Sequence, residues 1–314
     1  MLTPTNMELV DRWKDEPAPL LPMLHSFHNR DGYLSDEAIE AVAAGLKIPL
    51  AELWGTVTFY HHFSREAPGK SAPRVCTGNV CCLNGGNELY ESLQPEGATP
   101  MPCAGRCDDM IPVIVGDKAL VGLTKDSLVH RATPMPVKNP GLHEECVFSQ
   151  IRTPGRATIR GYRDSGGYQA LVNSIHESPT TIVDVISESK LAGRGGAGFP
   201  TGIKWKAVAE APGDPKCIVC NADEGEPGCF KDRTLMDHDP FAVIEGMTLA
   251  AFATGAPLGF VYLRYEYPET EEILTNAIKE ATAHGLLGDN ILGTDFSFHL
   301  HVRRGAGAYI CGEE

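Results

Sequence analysis

Apolar positions in the first 70 residues recur with a helical period. Leu20, Leu21, Leu24 and Phe27 form one stripe, which Asp31-Gly32 closes. Ser35 suits an N-cap, with Asp36 and Glu37 in the first turn. Ile39, Val42, Ala43 and Leu46 then follow at i, i+3, i+4 and i+7. Pro49 suits a first helical position, and Leu50, Leu53 and Val57 continue the pattern. A small helical bundle over residues 1–70 is expected. It contains His25, His28, His61 and His62, with no cysteine or carboxylate pair nearby to complete a metal site, so these are read as satisfied or exposed side chains.

The pattern changes over 71–135. Pro73 to Cys76 is strand-like, and Glu88 to Leu93 is helical. Pro112 to Val115 and Ala119 to Leu123 flank the turn Gly116-Asp117, and Lys125 to Arg131 is expected to close the unit as a helix. Strand, helix, hairpin, helix is a thioredoxin-like order. Residues 136–165, rich in Pro and Gly, form a connector. Its Arg156, Arg160 and Arg163 are read as a solvated basic face, and Cys146 as a passive thiol.

Residues 166–314 alternate helix and strand, the pattern of an α/β domain. Thr180 to Lys190 is helical, and so is Ile203 to Glu210. Cys217 to Cys220 is a short apolar run expected to be a buried strand. Gly246 to Leu263 is uncharged over 18 residues, at the length threshold for a membrane span, but Gly255, Pro257 and Gly259 interrupt it. A helix ending near Thr254, a turn and a strand over Phe260–Arg264 explain it better.

Composition narrows the function classes. The 314 residues are 42% hydrophobic and 22% charged, ordinary for a globular protein. A net charge of −14 without a basic cluster argues against nucleic acid as a partner. The N-terminus has neither the basic start nor the apolar core of a secretory signal, so a cytoplasmic location with no membrane span is expected. Ten cysteines in such a chain point to metal or redox chemistry rather than to disulfides.

Two stretches carry chemistry. Leu191 to Trp205 holds five glycines between Gly193 and Gly202, which free the backbone to approach a ligand closely. A helical pattern follows it. Loop amides and a helix N-terminus together suit phosphate, and Lys204 adds a cation. Gly193, Gly195 and Gly198 fit G-x-G-x-x-G, but a helix rather than a strand precedes them, so the match alone is weak. The acidic loop Asn221 to Gly228 offers acceptors for ribose or nicotinamide donors. The second stretch pairs Cys76-x4-Cys81 with Cys103-x3-Cys107, each in a glycine-containing loop. Four thiolates can hold a 2Fe–2S cluster or a structural zinc, and the spacing favours iron–sulfur. Cys82 is an alternative to Cys81. Cys217 and Cys220 lie three apart on a strand and so face opposite ways. His299 and His301 share a strand face without an evident third ligand.

GRGGAGFPTGIKW from Gly193, CNADEGEPGCFKDR from Cys220, YLRYEYP from Tyr262 and GAGAYICGEE from Gly305 resemble the flavin-binding subunit of respiratory complex I, a module also found in NAD-linked hydrogenases and formate dehydrogenases. The cysteine spacing resembles the thioredoxin-like 2Fe–2S subunit of complex I, and residues 15–70 its helical extension. The resemblance implies an α/β chain of helical bundle, thioredoxin-like 2Fe–2S domain and Rossmann-like FMN domain. It selects Cys81 over Cys82. It implies that Gly193, Arg194, Gly195, Gly196, Gly198, Lys204, Asn221, Asp223, Glu224, Tyr309, Gly312, Glu313 and Glu314 surround FMN. Glu226, Phe199 and Glu314 would position NAD(H), and no residue is assigned as a general acid or base. Cys229 stands where the family usually has a small hydroxyl residue. The resemblance implies that the family continues into a 4Fe–4S domain, expected only beyond Glu314. Joined 2Fe–2S and flavin units imply a soluble diaphorase module within a multisubunit formate dehydrogenase or hydrogenase, with a complex I subunit or a non-enzymatic zinc or iron–sulfur module as alternatives.

Overall fold

A computed structural model describes residues 3–141, 144–194 and 197–312. The N-terminal region forms α1 (Asn6–Trp13), α2 (Leu20–Asp31), α3 (Asp36–Leu46) and α4 (Leu50–Phe59). The Ser35 hydroxyl accepts from the Ala38 amide and so caps α3, while Gly32 at φ +82° ends α2 in a conformation that disfavours a Cβ. Leu24, Phe27, Ile39, Val42, Leu53 and Val57 meet in one core.

A five-stranded sheet follows. Its strands are β1 (Arg74–Cys76), β2 (Thr99–Met101), β3 (Ile111–Val115), β4 (Lys118–Gly122) and β5 (Val129–His130), in the order β2-β1-β3-β4-β5. Helices α5 (Asn79–Leu83) and α6 (Gly86–Leu93) link β1 to its parallel neighbour β2. The helix expected at Lys125–Arg131 is instead a single 3-10 turn leading into β5. The Ser127 hydroxyl accepts from the amides of Leu123 and Thr124, a local bond that competes with helix extension, and Val129 then pairs with Val121.

The third region comprises α7 (Ile159–Asp164), α8 (Gln169–Ser174), α9 (Pro179–Glu188), α10 (Thr201–Glu210), β6 (Cys217–Ala222), α11 (Lys231–His238), α12 (Pro240–Thr254), β7 (Leu258–Leu263), α13 (Pro268–Ala283) and β8 (His299–Arg304). Strands β6, β7 and β8 are parallel and pair in that order. The uncharged run thus splits into helix, Gly255 turn and strand. Strand β6 is not fully buried. It lies at the sheet edge, with Cys217 and Val219 exposed and Ile218 and Cys220 packed on the core. Arg156 is not on a solvated face either: it is buried, pairs with Asp239 at 2.9 Å and lies 4.2 Å over the Tyr162 ring. Glu245 on α12 accepts from the Tyr162 hydroxyl and from the amides of Tyr168 and Leu171, which fixes α8 against the core.

Two loops of the parallel sheet are built into the cores of the other regions. Tyr265, after β7, is buried among Val75, Leu89 and Val113 of the five-stranded sheet unit. Ala306, after β8, is buried in the helical bundle. Each buried apolar side chain is worth about 1.5–3 kcal/mol. A histidine seam lines the second joint. His25 donates from Nε2 to the Gly305 carbonyl at 2.9 Å, His28 accepts from the Ser64 amide, and the His62 ring lies 4.2 Å from that of Tyr265. His25, His28 and His62 are buried and each has one polar partner, while the other ring nitrogen of each has none among the described residues.

Burial lowers the His25 pKa to about 3 and the His28 pKa to about 4. An unfolded histidine titrates near 6.5, so the unfolded chain binds more protons below that value. Stability is therefore complete above about pH 6.5 and falls as the pH drops through the window to about 3–4. Thermal denaturation from pH 8 to pH 4 should show this acid limb. His25→Gln, which keeps a donor for Gly305 but cannot take up a proton there, should flatten it.

Candidate flavin and iron–sulfur site

The carboxyl ends of β6, β7 and β8 lead into three loops that converge, the position where open parallel sheets bind ligands. Lys216, at the amino end of β6, donates to the carbonyls of Ala209 near the end of α10 and Thr254 at the end of α12. Both helices therefore point their N-termini toward the carboxyl end of the sheet. The glycine-rich loop enters α10 there. The Gly193 amide donates to the Phe199 carbonyl, and the Thr201 amide to the Leu191 carbonyl, each at 2.9 Å, which closes the loop at its base. Gly198 sits at φ +63°, and Pro200 at the N-cap of α10 makes no side-chain cap bond. Gly202 lets α10 approach α9, because a Cβ there would lie 2.2 Å from the Ser187 hydroxyl. The start of α10, where Pro200 offers no capping side chain, fits a phosphate. Arg194, Phe199 and Lys204 are exposed beside it, and Gly195 and Gly196 lie outside the described residues.

The loop after β6 separates its carboxylates. Asn221 accepts from the Asp223 amide. Asp223 is buried, and burial, followed by the Glu266 charge, raises its pKa to about 7. Glu224 is also buried, but it accepts from the amides of Asp232 and Arg233, the Cys229 thiol and the Tyr267 hydroxyl. It thereby caps α11 from the preceding loop. Glu226 is exposed, and Gly225 packs against the Tyr309 ring. Tyr309 to Gly312 form a 3-10 turn, and Tyr309 is half exposed. Glu313 and Glu314 lie outside the described residues.

The four selected cysteines come together from β1, α5 and the loop before β3. The Sγ atoms of Cys103 and Cys107 are 3.5 Å apart, and the Cys76 thiol bonds to both Cys81 and Cys103. Among the described residues no group of three or more His, Cys, Asp or Glu side chains that could hold a metal ion is present. Two pairs of thiols are what a two-iron cluster divides between its irons. Hydrogen bonds from Cys107 and Cys76, then from the Gly105 and Gly228 amides, bring the Cys103 pKa down to about 2. Cys76 and Cys107 are correspondingly raised. Cys82 points elsewhere, donating to the Thr77 carbonyl at 3.1 Å. Cys217 and Cys220 face opposite ways, and His299 pairs with Asp289.

Several participants were not singled out from the sequence. Gly228 supplies an amide from the β6 loop to the thiols. Arg233 donates to the Gly105 carbonyl and pairs with Asp108 and Asp237. Tyr60, from the helical bundle, meets the Tyr262 hydroxyl at 3.2 Å. Arg233 left a trace, as a cation in a helix whose neighbours are acidic, but its partners lie far along the chain.

Two segments of the chain match families of known proteins. Residues 186–314 match the family described as the Nuo51 FMN-binding domain, and residues 7–99 match the thioredoxin-like [2Fe-2S] ferredoxins. The alpha subunit of the NAD-reducing hydrogenase HoxS of Cupriavidus necator is 33% identical over 98% of this chain and 56% of its own length. An NADH-quinone oxidoreductase subunit of Rhizobium meliloti is 48% identical over 55% of this chain and 41% of its own. A crystal structure of an NAD+-reducing [NiFe]-hydrogenase in the air-oxidised state superposes with a TM-score of 0.72 at 25% identity, over 97% of this chain and 54% of that one. The chain thus spans about half the length of the relatives it matches. Among its described residues no helix is long and apolar enough to cross a membrane.

Two outcomes follow from the site. Gly105 sits at φ +64°, and a Cβ there would lie 1.9 Å from the Tyr267 hydroxyl oxygen. Gly105→Ala should lose bound iron while retaining flavin, as metal and flavin analysis of the purified protein would show. Asp223 has a raised folded pKa, so the folded state holds its proton above the unfolded value and stability falls as pH rises from about 4 to about 7. Asp223→Asn should stabilise the flavin-free protein by a few kcal/mol at pH 8, at about 1.36 kcal/mol for each tenfold difference in proton affinity, and by less at pH 5. Urea denaturation at the two values checks this.

Proposed function

We propose, for a chain whose residues 186–314 match the Nuo51 FMN-binding domain and whose residues 7–99 match the thioredoxin-like [2Fe-2S] ferredoxins, that it is the diaphorase part of a multisubunit NAD-linked hydrogenase or formate dehydrogenase. One observation carries the reading. The loop from the carboxyl end of β6, which holds Asp223 and Glu226, also delivers the Gly228 amide to the thiols of Cys103 and Cys107. The segment offered to nicotinamide and the segment that touches the cluster ligands are thus one short loop.

A bound flavin supplies the exchange between a hydride pair and single electrons, which nicotinamide does not manage readily. The protein's share is orientation and electrostatics. The N-terminus of α10 and the glycine-rich loop before it would receive the FMN phosphate, with Lys204 and Arg194 as mobile cations. Asn221 and Asp223 would accept from flavin hydroxyl or ring N–H groups, and the exposed Glu226 from the nicotinamide cofactor. Phe199, half exposed beside the loop, would stack on that cofactor. Cys76, Cys81, Cys103 and Cys107 would ligate the 2Fe–2S cluster.

The HoxS relative matches nearly the whole chain, whereas the quinone oxidoreductase relative matches 55% of it. That contrast supports a hydrogenase- or dehydrogenase-type assembly over a complex I subunit. The division into a bundle over 1–70, a 2Fe–2S domain over 71–135, a connector over 136–165 and a flavin domain from 166 onward belongs to the same proposal, as does a cytoplasmic location.

Anaerobic titration with NADH should bleach the flavin absorption of the purified assembly. A flavin that NADH leaves unbleached would contradict the reading. Glu226→Lys should raise the KM for NADH roughly ten- to hundredfold, the worth of a charge-assisted hydrogen bond of about 1.5–3 kcal/mol, with flavin content unchanged.

A further inference from the structure

The segment Tyr262 to Pro268 supplies none of the residues assigned to flavin or to the cluster, yet it carries two buried charges at the site. Arg264 and Glu266 are each 4% exposed, and Tyr265 and Tyr267 are 0% exposed. The Arg264 guanidinium donates to the Cys103 carbonyl at 2.5 Å and to the Glu224 carbonyl, and it forms two bonds to Glu266 at 2.8 and 3.1 Å. Its face lies 5.1 Å from the Tyr267 ring centre. The Tyr267 hydroxyl contacts both the Gly105 carbonyl and the Glu224 carboxylate. Arg106, between the cysteines, donates to the Glu266 carbonyl and pairs with Glu269. The cluster-ligating loop is thus held from outside its own sheet, by residues of the parallel-sheet domain.

We propose that Arg264 is a positioning and tuning residue for the iron–sulfur group. It fixes the Cys103–Cys107 loop against the Glu224 loop, and its charge raises the potential at which the cluster takes an electron. Glu266 opposes that charge and trims the effect. This inference rests on the reading of the four cysteines as 2Fe–2S ligands. The physics is direct. One-electron reduction makes the cluster one unit more negative, and a buried cation stabilises that state more than the oxidised one. A low effective dielectric strengthens the interaction. Hydrogen bonds to neutral carbonyls alone would hold the loop equally well with no net charge, so the sign of the charge is the part to test.

The experiment is a potentiometric titration of the purified holoprotein assembly, with the reduced 2Fe–2S signal read by electron paramagnetic resonance. Arg264→Gln should make the midpoint more negative by about 59 mV, a tenfold shift in a one-electron equilibrium. Glu266→Gln, close in shape, should move it in the opposite direction. Arg264→Lys, which keeps the charge and loses the fork, should stay close to the unaltered protein. A purely structural role would give shifts of the same sign, or none, in Arg264→Gln and Glu266→Gln, and either result overturns the proposal. Should Arg264→Gln fail to retain iron, Glu266→Gln decides alone: a positive shift supports the proposal and an unchanged midpoint rejects it. Absence of the signal from the unaltered protein would instead reject the underlying ligand reading.

Discussion

The structure depends on one buried guanidinium with two obligations. Arg264 leaves the carboxyl end of β7, bonds to the Glu224 carbonyl on one side and reaches the Cys103 carbonyl on the other. An unpaired buried charge is costly, and Glu266 and the Tyr267 ring supply the compensation within the same short segment. Breaking either contact would leave a charged group or a carbonyl without a partner in a nearly dry site. The two loops are therefore constrained together, although they belong to different sheets.

That constraint explains why the parallel sheet places its side chains as it does. Tyr265 and Ala306 are each buried in a core other than their own, so the loops after β7 and β8 act as anchors for the neighbouring regions. Glu226 on the loop after β6 and Phe199 at the glycine-rich entry to α10 are left exposed. The division of labour is physical: packed loops hold the scaffold, and loops with exposed side chains remain for ligands. Glu224 shows how narrow the boundary is, since it lies next to Asp223 yet spends both oxygens on α11 and Tyr267.

Much of this was legible in the chain because the signals are local. The period of Ile39, Val42 and Ala43 and the cap at Ser35 define α3, and the spacing of the cysteine pairs and the glycine density around Gly198 mark the chemistry within a few residues. What was not legible depends on distance. The edge position of β6 follows from strand order, which its own apolar run does not encode. Val129 pairs with β4 because Ser127 turns the chain first. Arg156 reads as a surface cation until Asp239, 83 residues later, pairs with it. Arg264 bonds to residues 40 and 161 positions away, and no window of sequence contains both. The histidines were read singly, whereas their burial arises from the meeting of two helices with the loop after β8.

The most direct test of this account is native-state hydrogen exchange at the two joined loops. If Arg264 and Tyr267 bind the loops into one cooperative unit, the amides of residues 103–107 and 223–229 should open with the same free energy, and Tyr267→Phe should lower both together. Loops that exchange with clearly different free energies, or a Tyr267→Phe effect confined to one of them, would contradict it.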